Sequence, residues 1–169
     1  MDIIEKARAY AADKHADKKR KYTDQPYFNH LQAVVSTLQG AGAMEPPILA
    51  AAYLHDTVED TDATIQDIIV EFGADVAELV YWLTDAEEGN RERRTLMSSW
   101  RLARAPMQAK LIKFADIIDN ATSIREHDRQ FFKVWAAEKL TILTRMLEVE
   151  GGTLSNHALF KRAWAATTN

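Results

Sequence analysis

A short segment in the first half of the chain is apolar on every side. It runs from Ile48 to Leu54 and follows the proline pair Pro46-Pro47. Proline is tolerated in the first turn of a helix, so the pair predicts a helix start. A helix that is hydrophobic all round must be covered by other elements. The chain is therefore expected to build a globular core around this helix.

The composition favours helices over strands along the whole chain. The 169 residues include 26 alanines and only 8 valines, and alanine is the best helix former whereas valine prefers strands. With 47% hydrophobic and 27% charged residues, the chain has the composition and length of one globular domain. We predict an all-α fold, a single domain over residues 1–169, built as a bundle of about eight or nine helices.

Helical periodicity and stop signals place these helices approximately. The predicted segments are 2–17, 27–39, 48–55, 64–73, 75–84, 91–104, 107–125, 128–150 and 155–166. The stretches 17–26, 58–63 and 85–90 are polar and are predicted to be loops. The residues that carry chemistry lie within about 5–125, and the helices over 128–166 complete the fold.

Charge and cysteine content exclude several classes of function. The net charge of −4 argues against general binding to nucleic acid or to a membrane surface. The absence of cysteine excludes disulfide frameworks, thiolate metal sites and cysteine nucleophiles. The first six residues carry charges where a signal peptide would be apolar, so we expect a cytoplasmic protein. The longest apolar run, 46–54, is too short to span a bilayer.

Four ionisable residues follow the apolar helix within six positions. They are His55, Asp56, Glu59 and Asp60. Charged groups next to a buried helix normally have a partner or a metal, because unpaired buried charge is unfavourable. His55 and Asp56 are therefore predicted to bind one divalent cation, with Glu59 and Asp60 beside it to handle a water molecule. A helix end followed by a solvated acidic loop is the alternative that this segment leaves open.

A second group of polar side chains lies in an apolar helix over 111–120. Asp116 and Asn120 are four residues apart, and Lys113 lies one turn earlier, so the three share one face. Asp116 is surrounded in sequence by apolar residues, where an unpaired carboxylate would be unfavourable. Asp119 lies on another face and is interpreted as a solvated charge.

A basic run over 18–21 precedes an aromatic pair and His30, at the start of another predicted helix. Such a run is normally a solvated loop, and a single histidine is often structural. Considered with the two groups above, however, His30 completes a set of two imidazoles and two carboxylates: His30, His55, Asp56 and Asp116. Ligands of this kind, without sulfur, suit Mn(II), Fe(II), Co(II), Mg(II) or Zn(II), and Mn(II) is a natural compromise. A cation in such a site would favour hydrolysis of a phosphoester or phosphoanhydride.

These residues resemble the metal signature of the HD-domain phosphohydrolase superfamily. The similarity is greater still to the hydrolase domain of the RelA/SpoT family. It is carried by His55 to Thr61, by Lys113 to Asp116 with Asn120, by Arg20-Lys21 before Pro26-Tyr27, by Phe72 to Val80 and by Leu83 to Asp85. Members of that family release the 3′-pyrophosphate of ppGpp and pppGpp, usually with Mn(II). The resemblance implies a stand-alone small alarmone hydrolase, because the chain has no room for a synthetase domain.

The resemblance also implies a role for each matching residue. His30, His55, Asp56 and Asp116 match the metal ligands, and Glu59 and Asp60 match the acidic pair that activates the water. The predicted substrate contacts are Arg20, Lys21, Tyr27, Lys113 and Asn120. The small nucleotide substrate is the partner that these roles imply.

The chain departs from the family pattern at two places. The basic loop has no glycine before Pro26-Tyr27, and Thr122 stands where the long enzymes usually have arginine. The resemblance therefore implies removal of a 3′-pyrophosphate more firmly than it implies a preference for guanine nucleotides. Three alternatives stay open: an adenine alarmone such as pppApp, a phosphorylated cofactor such as NADPH, and an HD module that binds nucleotide without catalysis.

Overall fold

The computed structural model describes residues 2–168, and within them the regular structure is helical. One isolated antiparallel bridge joins Lys19 and Pro26. The helices are α1 Ile3–Lys14, α2 Phe28–Gly40, α3 Pro46–Leu54, α4 Thr57–Asp60, α5 Ile65–Phe72, α6 Ala74–Leu83, α7 Arg91–Arg104, α8 Met107–His127, α9 Arg129–Glu150, α10 Gly152–Asn156 and α11 Ala158–Thr168.

The prediction of an all-α fold is confirmed over the described residues. Nine of the helices have eight or more residues, and they coincide with the nine predicted segments to within a few residues. Two short helices were not predicted. One is α4, a single turn that lies mostly within the predicted loop over 58–63. The other is α10, which shares only residues 155–156 with the last predicted helix and is separated from α11 by the extended backbone at His157.

By internal contacts the chain divides into two compact units, Met1–Thr84 and Asp85–Asn169. The single domain expected from the sequence stays a prediction. No helix within residues 2–168 is both long enough and apolar enough to cross a membrane.

In the first unit, α3 is the central element. It packs against α1, α2 and α6, and all seven residues from Ile48 to Leu54 are buried. The prediction of a helix covered on all sides is therefore confirmed. Its last turn leads directly into His55 and Asp56, so packing of the apolar body fixes where these two residues lie.

Helix ends in the first unit are defined by local chemistry. The Thr64 side chain accepts a hydrogen bond from the Asp67 amide, and the Asp67 carboxylate accepts one from the Thr64 amide, forming a capping box that starts α5. Gly73, with φ of +87°, ends α5 and precedes α6. A positive φ of this size is readily adopted only by glycine, so this residue sets the short turn between the two helices.

In the second unit, α9 is the element against which the others pack. It contacts α7, α8, α10 and α11, and α11 also packs against α8. The Arg91 guanidinium bonds to both carboxylate oxygens of Glu138, which ties α7 to α9. Lys110 on α8 is fully buried and forms an ion pair with Glu150 at the end of α9.

Candidate metal and catalytic site

Three predicted ligands of the first unit lie together. His30 is in the first turn of α2, His55 follows α3, and Asp56 precedes α4. Each offers one nitrogen or oxygen atom, and these three atoms all lie within 4.8 Å of one another. The two histidines are 1% and 2% exposed. The structure therefore brings together side chains that are 25 residues apart in the chain.

Hydrogen bonding determines which histidine nitrogen faces the cluster. The Nδ1 of His55 lies 2.8 Å from the carbonyl oxygen of Ala52. Because a carbonyl can only accept, Nδ1 carries the proton and Nε2 presents a lone pair. The Nε2 of His55 is 3.1 Å from Oδ2 of Asp56, and the Nε2 of His30 is 3.5 Å from the same oxygen.

The ligand atoms of His30, His55 and Asp56 need a positive charge between them. A neutral imidazole nitrogen and a carboxylate oxygen both offer lone pairs, so they repel at this distance unless a proton or a cation lies between them. Burial raises the pKa of the Asp56 carboxyl, but when His55 carries a second proton, on Nε2, the charge of its ring and the hydrogen bond to His30 outweigh burial and hold that pKa well below its ordinary value. Asp56 is thus ionised, as a metal ligand must be.

The donor set fits a divalent metal. Two imidazole nitrogens and one carboxylate oxygen suit Mn(II), Fe(II), Co(II) or Zn(II). The bond from His55 to Ala52 is also the kind of outer contact that fixes the orientation of a metal-binding histidine. These three residues would leave further positions on the ion for other ligands.

Tyr27, a predicted substrate contact, lies beside this cluster. Its hydroxyl donates to Oδ2 of Asp56 at 2.5 Å. Its ring stacks on His15, with centroids 5.2 Å apart and planes at 16°, and the Lys18 ammonium lies 4.2 Å from the ring centroid. The sequence did not indicate the contact with Asp56, because it joins residues 29 positions apart.

The two predicted catalytic acids lie on α4. Glu59 and Asp60 are at the solvent-facing side of this turn, and the Asp60 amide donates to the Asp56 carbonyl at 2.9 Å. The Asp60 carboxylate forms an ion pair with Lys18. Lys18 belongs to the basic run but was not among the predicted site residues. The assignment of Glu59 and Asp60 to catalysis stays a prediction.

The predicted basic contacts lie on a short closed loop. The Arg20 amide donates to the Gln25 carbonyl at 2.9 Å, and the bridge between Lys19 and Pro26 closes the loop. Arg20 is half-buried and Lys21 is exposed, with the Lys21 ammonium 5.1 Å from the centroid of the Tyr22 ring. Substrate contacts by Arg20 and Lys21 stay predictions.

The remaining predicted site residues share one face of α8 in the second unit. Asp116 is 6% exposed and accepts hydrogen bonds from Lys113 at 2.8 Å and from Asn120 at 2.5 Å. Two donors thus hold this carboxylate in a defined orientation. The assignment of Asp116 as the fourth ligand rests on the sequence pattern and stays a prediction, as do substrate contacts by Lys113 and Asn120.

Besides Lys113, this unit has a second lysine near Asp116, Lys139, which was not among the predicted site residues. Burial, and then the charge of Lys113, lower the pKa of Lys139 on α9, while Asp116 is among the acids that raise it. Helical spacing could have indicated this position. Lys139 follows Trp135 by four residues and precedes Ile142 by three, and both of these are buried.

Comparisons with known proteins identify related sequences. A family profile described as HD domain matches residues 7–146. The guanosine-3′,5′-bis(diphosphate) 3′-pyrophosphohydrolase MESH1 of Drosophila melanogaster is 37% identical over 138 residues, covering 75% of this chain and 76% of the relative. The Homo sapiens protein of the same name is 35% identical over 142 residues, covering 78% and 79%.

A solved structure is also similar. It belongs to a metazoan ortholog of SpoT that hydrolyzes ppGpp and plays a role in starvation responses. Its TM-score is 0.79 at 30% identity, covering 98% of this chain and 93% of that one. The profile match and the identity to these relatives are sufficient to assign the family. The chain belongs to the HD-domain family, which confirms the resemblance found in its sequence.

Proposed function

We propose that this protein is a metal-dependent hydrolase that removes the 3′-pyrophosphate of ppGpp and pppGpp, giving GDP or GTP and pyrophosphate. The observation that carries the proposal is the cluster of the buried His30 and His55 with the half-buried Asp56, whose ligand atoms all lie within 4.8 Å of one another. It is supported by similarity over three quarters of the chain to proteins named as 3′-pyrophosphohydrolases of this nucleotide.

In this proposal His30, His55 and Asp56 would hold the cation, with Asp116 as a fourth ligand on the strength of the sequence pattern. A bound divalent ion, Mn(II) in our proposal, supplies charge neutralisation at phosphate and a lower pKa for water. The carbonyl of Ala52 keeps His55 in the tautomer that presents Nε2. The same bond prevents the ring from turning away.

Glu59 and Asp60 are proposed to orient the attacking water and to take up its proton. The water oxygen bonds to the phosphorus attached to the ribose 3′ oxygen, the bond between that phosphorus and the 3′ oxygen breaks, and the 3′ oxygen gains a proton. The new oxygen then belongs to pyrophosphate. Arg20, Lys21 and Lys113 are proposed to bind the phosphates, and Asn120 to face the nucleotide. General acid–base assistance of this kind contributes roughly 10²–10⁴-fold in rate.

The proposed location is the cytoplasm, and the proposed partner is the nucleotide alone. A substrate with this many phosphate charges does not cross a membrane unaided, so the enzyme must share its compartment.

A substrate panel tests the proposal. The purified protein is incubated with Mn(II) and ppGpp, pppGpp, pppApp or NADPH in ¹⁸O-labelled water, and products are separated by anion exchange and analysed by mass spectrometry. We expect fastest turnover of ppGpp or pppGpp, with the label in pyrophosphate. The variant His55→Ala is the control for a contaminating hydrolase. Faster release of phosphate from NADPH, or of pyrophosphate from pppApp, would reassign the substrate, and nucleotide binding without any product would refute catalysis.

A further inference from the structure

The Tyr27 hydroxyl makes a short bond to a carboxylate of the metal cluster. At 2.5 Å from Oδ2 of Asp56, it lies in the distance range of hydroxyl donors to ionised carboxylates, which are stronger than neutral hydrogen bonds. The Tyr27 amide also donates to the Lys18 carbonyl at 2.8 Å. Both the backbone and the tip of this residue are therefore held.

The ring of Tyr27 is held as well. His15 stacks on it with the planes at 16°, and Lys18 places its ammonium 4.2 Å from the ring centroid. His15 itself is 2% exposed, and its Nδ1 lies 2.9 Å from the Ala11 carbonyl at the end of α1. Through His15, the orientation of the Tyr27 ring is therefore fixed by α1.

Asp56 needs such support more than the two histidines do. Its side chain is 20% exposed, whereas those of His30 and His55 are 0% and 2% exposed. It also stands between α3 and α4, where no side-chain bond caps the short helix. A hydrogen-bond donor on one oxygen of this partly exposed carboxylate favours the rotamer that faces the histidines.

We propose that Tyr27, held by His15, is a positioning residue that orients the Asp56 carboxylate for the metal, and is not a contact for the nucleoside. This inference rests on the metal site of the proposed function. Outer contacts of this type typically contribute 10–100-fold to metal affinity. His15 acts through Tyr27 in this scheme, so its effect on the metal should disappear when the Tyr27 hydroxyl is absent.

The test is Mn(II) affinity, measured without nucleotide by calorimetry and by the electron paramagnetic resonance signal of free Mn(II). Tyr27→Phe keeps the ring and removes the hydroxyl. The matched control is Tyr53→Phe, which removes the hydroxyl bonded to Gln32 at 3.0 Å, two residues before His55. We expect Tyr27→Phe to weaken Mn(II) binding by about 10–100-fold. Tyr53→Phe should leave it within about twofold, because the Tyr53 hydroxyl bonds to Gln32 and not to a residue of the metal cluster.

Two further variants examine His15. His15→Ala removes the stacked ring and should weaken Mn(II) binding, whereas His15→Phe keeps a ring and should restore it. Adding His15→Ala to Tyr27→Phe should cause no further loss, since the two act as one unit. Additive losses would refute action through Tyr27. The two His15 variants remain informative even if Tyr27→Phe does not fold.

The competing role for Tyr27 predicts a different pattern. If the ring contacts the nucleoside, Tyr27→Phe leaves Mn(II) affinity unchanged and Tyr27→Ala raises KM, which overturns the inference. Because the metal is measured alone, a protein that binds Mn(II) but hydrolyses none of the nucleotides would refute the proposed function and leave this test valid.

Discussion

For the ion pair between Lys110 and Glu150, we predict that the loss of stability depends on which of the two partners is removed. The Lys110 side chain is fully buried, whereas that of Glu150 is 31% exposed. Removing the glutamate leaves an ammonium without its partner in the interior. Removing the lysine leaves a carboxylate that water can already reach. The two substitutions break the same contact, so the difference between them measures the cost of the unpaired buried charge.

The magnitude follows from this asymmetry. Loss of one partner of a buried pair destabilises by about 3–5 kcal/mol, and we expect about 3 kcal/mol for Glu150→Ala because water can enter at the exposed side. Lys110→Met keeps a long unbranched side chain without charge, so it should change stability by less than about 1 kcal/mol. The double variant should resemble Lys110→Met, since no buried charge then remains.

Urea unfolding followed by circular dichroism at 222 nm is the assay. With a slope of roughly 2–3 kcal/mol/M, the midpoint should fall by about 1–1.5 M for Glu150→Ala. The unfolding temperature should fall by about 6–12 °C for a chain of this length. Equal losses in both single variants would show that attraction within the pair, and not desolvation of the ammonium, dominates. That result would refute the expected asymmetry between Lys110 and Glu150.

Four further predictions concern the site and one helix cap. Glu59→Gln and Asp60→Asn should each keep Mn(II) and nucleotide affinity by calorimetry while turnover falls by roughly 10²–10⁴-fold; an effect below about threefold would mean that these acids only solvate the loop. Neutralising Arg20 and Lys21 together should raise KM more than it lowers kcat, which indicates that they bind the substrate equally well in the ground state and in the transition state. An equal fall in kcat and kcat/KM would show instead that they act only on the transition state. Chelation of the metal should abolish turnover but leave most of the helical dichroism, because the core does not depend on the ion; loss of the helical signal would contradict this. Thr64→Ala should reduce the free energy of unfolding by about 1 kcal/mol through loss of the capping box, and Thr64→Ser is the control that should retain it.

The sequence was most informative where a pattern repeats over several turns. The apolar run over 48–54 was sufficient to predict a helix buried on all sides, because every residue in it needs cover. The single turn α4 could not be found in the same way, since four residues do not establish a period. Its existence depends on the bond from the Asp60 amide to the Asp56 carbonyl, which no composition rule indicates.

At the site, sequence reasoning identified the chemical groups but not their supports. His55 and Asp56 could be selected because charged groups next to a buried helix need a partner, and His30 because it completes a set of imidazoles and carboxylates with them and Asp116. The contact from Tyr27 to Asp56, and the stacking of His15, depend on how helices from distant parts of the chain come together. An aromatic residue beside a predicted ligand is compatible with substrate binding and with support of the ligand, and only the tertiary structure shows that its hydroxyl contacts Asp56.

Three consecutive alanines in α3 have a consequence for how this protein can vary. Ala50, Ala51 and Ala52 are all fully buried, so other parts of the protein cover their methyl groups completely. A larger side chain at any of them would overfill the interior, at about 1–3 kcal/mol, or would move the helix. Because His55 follows only three residues later, and its Nδ1 bonds to the Ala52 carbonyl, a displaced helix would carry the imidazole with it. A library randomised at these three positions and selected only for folding should therefore return nearly the same small residues as one selected for turnover.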